Sequence, residues 1–252
     1  MRQIRGISIN IKEDVLGRIT LKKRNVFSRK DYILVAENLS NIPYGYSAVI
    51  TNIQLSGKGC GCGCVVDKQE LHEFNEGDVV LISKRGVIIF YYEIKSLHNA
   101  IFATERCNHH CIMCPQPPIE SEKDKTPFNL RLISLMDKHT REIGITGGEP
   151  TLIGDDLFVL IRHIQKYQPK AAISLLTNGV KFADKAYAMK LAMCKHHDLQ
   201  IDVPIFSDIA EEHNRIVGAK TFYKTVQGLY NLALFENPIS RLMPLSFWFR
   251  NL

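Results

Sequence analysis

Between Asn99 and Phe235 short apolar runs alternate with helix-spaced segments, and this alternation narrows the available folds more than any other feature of the chain. "NAIFAT", "EIGIT", "AAISLLTNG" and "LQIDVPIF" have the length and side-chain content of buried strands. Each is followed by a segment with helical spacing. In "NLRLISLMDKH" the apolar positions include Leu130, Ile133, Leu135 and Met136, and "GDDLFVLIRHIQKY" opens with Asp155 or Asp156 near its start. "DKAYAMKLAMCKH" and "TFYKTVQGLYNLALF" complete the series. Four strand–helix units in a row predict a parallel sheet or barrel, since a parallel neighbour is reached only through a crossover. Ligands of such sheets sit at the C-terminal ends of the strands.

The first part of the chain has a different texture. "GISINI", "DYILVAENL", "YSAVITNIQL" and "DVVLISKRGVIIFYYEI" are short strand-like runs with polar breaks, and Ser83 to Gly86 supplies the turn of a hairpin. The reading is therefore a β-rich N-terminal domain over residues 1–96, an α/β core over 97–237 and an atypical tail over 238–252. Hydrophobic residues at 45% and charged residues at 23% give enough apolar material for a core. No apolar run is long enough for a membrane span, and the charged N-terminus does not read as a secretion signal, so a cytoplasmic protein with no membrane partner is expected. The net charge of +6 is scattered, and Lys22, Lys23 and Arg24 read as a solvated turn, not a nucleic-acid patch.

Seven cysteines fall mostly into two clusters, a pattern that points to metal or redox chemistry before disulfides. Cys107, Cys111 and Cys114 have the spacing C-x3-C-x2-C, just after the first strand of the series. A structural zinc ion wants four protein ligands. His109 or His110 could be the fourth only by folding back onto an ion held by their neighbours. A four-iron cluster matches three thiolates better, because each takes a separate iron and one iron stays open for chemistry. "GGEP", "TNG" and "SD" follow the second, third and fourth strands, so all four loops should open onto one face.

C-x3-C-x2-C after the first strand, with Gly147-Gly148-Glu149-Pro150 after the second, resembles the radical S-adenosylmethionine (SAM) superfamily. The resemblance implies an incomplete parallel (βα) barrel of that type behind the small β-rich domain, and a [4Fe-4S] cluster held by Cys107, Cys111 and Cys114. It also implies reductive cleavage of S-adenosyl-L-methionine at the open iron, giving a 5′-deoxyadenosyl radical. Gly147, Gly148 and Glu149 suit the SAM ammonium group, and Asn178 with Ser207 or Asp208 suits its ribose or carboxylate. Met113 stands where the superfamily often has an aromatic residue beside the third cysteine. A finer set, "GDVVLI", "HNAIFATERCN", "CIMCPQPP", "GITGGEPTL", "LLTNG", "VPIFSD", "HNRIVGA" and "GLYNLA", is similar to the C-type radical SAM maturases (HxsC) of His-Xaa-Ser peptide systems. That similarity implies a ribosomally made small peptide as substrate, a partner radical SAM maturase and an electron donor protein.

Other features read more plainly. "GKGCGCGCVV" would send Cys60, Cys62 and Cys64 to one face, and reads as a mobile loop before a second metal site. Cys194 reads as a core residue, His196 and His197 as the end of a helix, and His213 as a surface-loop histidine. The tail after Phe235 departs from the family, so truncation near Pro238 is expected, with the fourth strand left as an open sheet edge. The competing readings are a non-catalytic iron–sulfur module and a structural zinc protein.

Overall fold

The computed structural model describes residues 2–39, 43–53, 62–116, 118–119, 123–235 and 239–243, the last of these by backbone alone. Contacts divide the chain into two units, residues 1–99 with 131–140 and residues 100–130 with 141–252. The segment 131–140, read from sequence as part of the α/β core, thus clusters with the first unit.

In the first unit the strands are β1 (Gln3–Arg5), β2 (Ile7–Ile9), β3 (Val15–Thr20), β4 (Tyr32–Val35), β5 (Ala48–Thr51), β6 (Gly63–Val65), β7 (Val79–Ile82) and β8 (Val87–Tyr92), with a short helix α1 (Lys68–Leu71). They form one sheet in the order β1-β8-β7-β3-β4-β5-β6-β2. The expected hairpin joins β7 and β8, closed by the Ser83 amide donating to Val87 O at 2.8 Å, with Gly86 at φ +79°. β3 went unread in the sequence, yet it joins the two halves, antiparallel to β7 and parallel to β4. Ile19, Ile33, Ile50, Ile82 and Ile88 are fully buried on this sheet. Each such side chain is worth about 1.5–3 kcal/mol relative to exposure.

The Cys62 and Cys64 side chains share one side, as the alternation requires, and that side is the core. Cys64 lies in strand β6, not in a loop, and burial pushes its thiol to about 11. Cys62 Sγ donates to Ser47 O at 2.8 Å, and burial raises that thiol also. Cys60 lies outside the described residues.

The remaining elements are β9 (Asn99–Thr104), α2 (Thr126–Leu135), β10 (Glu142–Gly147), α3 (Asp156–Tyr167), β11 (Ala172–Leu176), α4 (Lys185–Ala192), β12 (Leu199–Pro204), α5 (Ala210–Val217), α6 (Phe222–Leu234) and β13 (Ile239–Met243), all in the second unit except Asn99 and the part of α2 from Arg131 onward. The sheet of this unit runs β13-β12-β11-β10-β9, and the β10–β11, β11–β12 and β12–β13 pairs are parallel. β12 is therefore not an open edge, contrary to expectation, because β13 covers it. Alternation sorts the strands into two faces. Ile143, Ile145, Ile173, Leu175, Ile201 and Val203 are fully buried, whereas Thr146, Ser174 and Asp202 are only partly covered on the other face.

Helix α5 also went unread, and its stretch "EEHNRIVG" is not a surface loop. His213 is 0% exposed, between the rings of Phe206 and Phe222. The signals for this helix were local: Ser207 Oγ accepts the Ile209 amide, Glu211 and Glu212 occupy the first turn, and Gly218 ends it at φ +65°. Cys194 is buried, as a core residue should be. Among the described residues no helix is long and apolar enough to cross a membrane.

Candidate functional site

Loops after β9, β10, β11 and β12 line one cavity of about 310 Å³ in the second unit. The parallel order of the sheet puts the C-terminal ends of its strands on one rim, so motifs distant in sequence meet. Cys107, Cys111 and Cys114 line this cavity together with Met113, Gly147, Gly148, Glu149 and Asn178. Ser207 and Asp208 are not among the lining residues. The Ser207 hydroxyl donates to Glu212 Oε2 at 2.9 Å and serves the start of α5 instead. Asp202 and Thr177, which the sequence reading passed over, do line it.

The two glycines have a structural cause. A Cβ on Gly147 would collide with the Thr104 carbonyl oxygen, and one on Gly148 with that of Arg106. That close approach lets the Gly148 amide donate to Thr104 O at 2.7 Å and the Glu149 amide to Arg106 O at 2.8 Å. The glycine pair is thus fitted to the backbone leading into the cysteine loop as well as lining the cavity. Gly147 has φ +138°, a conformation that side chains rarely adopt.

Glu149 is 1% exposed and ties three loop positions together. Its Oε1 accepts from the Thr151 amide at 3.0 Å, the Thr151 hydroxyl at 2.6 Å and the Thr177 hydroxyl at 2.7 Å. Its Oε2 accepts from the Asn178 amide at 2.6 Å. Burial pushes its carboxyl above the ordinary range, while these donors pull it back down. Asn178 in turn reaches the cysteine loop, its Nδ2 donating to Asn108 Oδ1 at 2.7 Å.

Within the cysteine loop, the Cys114 amide closes a turn onto Cys111 O at 3.0 Å, and the His109 amide donates to Cys107 Sγ at 3.4 Å. Cys107 and Cys111 are partly buried and Cys114 is exposed. Burial raises the Cys107 thiol and pushes Cys111 to about 11, with the neighbouring cysteines adding to both shifts. Burial lowers His109 to about 4, helped by His213 and His110, so its ring is neutral at pH 7.

Three soft sulfur donors around one cavity suit iron–sulfur chemistry. Among the described residues no three His, Cys, Asp or Glu side chains converge on a single-ion position, which for zinc would bring sulfurs within about 4 Å of each other. Thiolates that each take a separate iron have no need to converge so closely.

A family model of the radical SAM superfamily matches residues 101–238, more than half of the chain. The chain belongs to the radical SAM superfamily. Its cofactors are accordingly a [4Fe-4S] cluster and S-adenosylmethionine. Among curated proteins it is similar to the GTP 3′,8-cyclase of Nautilia profundicola, 31% identical over 124 residues, covering 46% of this chain and 38% of that one. The GTP 3′,8-cyclase of a Sulfurovum species is 32% identical over 129 residues, covering 49% of this chain and 37% of that one. The chain thus spans less than two fifths of the length of these relatives. Among solved structures, native anSMEcpe with bound AdoMet aligns over 56% of this chain and 41% of that one, at 22% identity and a TM-score of 0.44.

Proposed function

We propose that this radical SAM chain holds its cluster through Cys107, Cys111 and Cys114 and its SAM through Gly147, Gly148, Glu149 and Asn178, with Met113 as an apolar neighbour. The observation that carries the reading is the convergence of the cysteine, "GGEP" and "TNG" loops on one cavity. Held by these residues, the cluster would supply the electron for reductive cleavage of SAM.

The chain's own residues position and shield. A carboxylate has about four acceptor sites. These are about two to each oxygen, and among the described residues three donors crowd Oε1 of Glu149 while one reaches Oε2, so a further donor such as an ammonium N–H is accepted at Oε2. Leu176, Pro204, Phe206 and Val217 supply apolar walls to the cavity.

The substrate in this proposal is a ribosomally made His-Xaa-Ser-type peptide, and the chain works in the cytoplasm with a partner maturase and an electron donor protein. The motif set spread over residues 77 to about 235 supports it. So does the charge of the cavity: the lining includes Glu149 and Asp202 but neither Lys nor Arg among the described residues. Phosphate groups are bound mainly by Arg and Lys. A second reading, a nucleoside triphosphate substrate, is favoured by the similarity to GTP 3′,8-cyclases, and that same charge opposes it.

The test is anaerobic reconstitution with iron and sulfide, followed by reduction and incubation with SAM, wild type against Cys111→Ala. Wild type should bind both elements and release 5′-deoxyadenosine, with loss of at least tenfold in the variant. A wild-type chain that takes up iron and sulfide but releases none would be a non-catalytic cluster module. Turnover of GTP but not of a His-Xaa-Ser peptide would favour the second reading.

A further inference from the structure

We propose that the turn between α5 and α6 is the anchor that sets the conformation of the cysteine loop, with Thr221 as its positioning residue. The inference rests on the proposed cluster-bearing role of that loop only for its functional consequence; the contacts stand without it.

A helix leaves its last four carbonyls without intrahelical partners. In α5 two of these are filled from the cysteine loop: the His110 amide donates to Val217 O at 2.9 Å and the Ile112 amide to Ile216 O at 3.0 Å. Beside them, His109 Nε2 and Thr221 Oγ1 share a hydrogen bond of 2.8 Å, which either ring tautomer can make. Thr221 is itself held, because Asn214 Oδ1 accepts its amide at 2.9 Å and the Phe222 amide at 3.0 Å. Gly218 completes the fit: at φ +65° it turns the chain, and a Cβ there would stand 2.6 Å from His110 O.

Three residues of the loop, His109, His110 and Ile112, are thereby fixed by one turn, and all lie between Cys107 and Cys114. Val217 also lines the cavity, so the same turn forms part of its wall. A loop that must present three sulfurs to a rigid cluster gains from being held in shape beforehand. The stretch "HNRIVGAKT" therefore positions the thiols without contributing a ligand of its own.

Amide hydrogen exchange on the full chain, as purified and after reconstitution, tests this directly. Thr221→Val removes the hydroxyl at nearly constant shape, and Thr221→Ser keeps it. The Val variant should speed exchange of His110 and Ile112 about five- to tenfold, as expected for one lost hydrogen bond, leaving β10 to β12 unchanged. The Ser variant should stay within about twofold. Where the cluster is present, the Val variant should also alter the electron paramagnetic resonance spectrum of the reduced protein and the Ser variant should restore it.

Unchanged loop exchange in the Val variant, or equal effects of Val and Ser, would overturn the proposal. Gly218→Ala probes the same contact from the other side and should deprotect His110 with Thr221 intact; normal protection there would also count against the anchor. A wild-type chain that binds no iron would refute the cluster assignment while the exchange data still decide the anchor.

Discussion

Replacing Thr177 by valine tests the idea that Glu149 organises the site from within. Thr177 is 4% exposed, and its hydroxyl both donates to Glu149 Oε1 at 2.7 Å and accepts the Gly179 amide at 3.1 Å. Valine has nearly the same shape, so packing is kept and only these bonds are lost. A hydrogen bond to a carboxylate contributes about 1.5–3 kcal/mol, and an orphaned buried amide costs about 1–3 kcal/mol. Partial relaxation brings the expected loss to about 3 kcal/mol. For a chain of this size that is a fall in melting temperature of about 6–12 °C, readable by calorimetry or circular dichroism. Thr177→Ser keeps the hydroxyl and removes one methyl group, worth about 0.8 kcal/mol, so it should fall by only about 2–3 °C. The reasoning is refuted if the valine variant melts within about 2 °C of wild type, or if the serine variant falls as far.

Two further outcomes follow from the same geometry. Gly148→Ala meets the Arg106 carbonyl, whereas Gly154→Ala at φ +65° has open space around it. The second, at ψ −133° as well, should lose about 1–3 kcal/mol from backbone strain alone and the first more, with weaker SAM binding by equilibrium dialysis; equal losses would remove the close-approach argument. His213 is buried, and burial lowers its ring from the ordinary 6.5. A lowered folded value means that its contribution is present above about pH 6.5 and is lost as pH falls through the folded pKa, at up to about 1.4 kcal/mol per pH unit. Urea denaturation at pH 7.5 and 5.5 should therefore show a smaller acid loss in His213→Gln than in wild type, and parallel pH profiles would contradict it.

Much of the candidate site was legible because its signals are local. The three cysteines, the Gly-Gly pair and Asn178 each follow a strand whose apolar run is plain, and parallel order alone brings their loops to one rim. Ser207 lies outside the cavity lining because a short polar residue after a strand can serve either a ligand or the next helix, and here it bonds to the start of α5. Asp202 and Thr177 were overlooked because nothing in their neighbours marks them; only the pleat and the loop path turn them toward the cavity. β3 escaped notice because Gly17 and Arg18 interrupt its apolar pattern, although pairing with β4 and β7 buries it.

The sequence by itself determined that this chain would build strand–helix units with a three-thiol loop at the first turn, since periodicity and spacing are properties of neighbouring residues. Tertiary structure decided what those residues touch. It set the Gly-Gly pair against the backbone of the cysteine loop, placed four donors on the buried Glu149 carboxylate, and joined the "HNRIVGAKT" stretch to His109, His110 and Ile112 more than a hundred positions earlier. Contacts of that range depend on how the elements pack, and no local pattern in the chain encodes them.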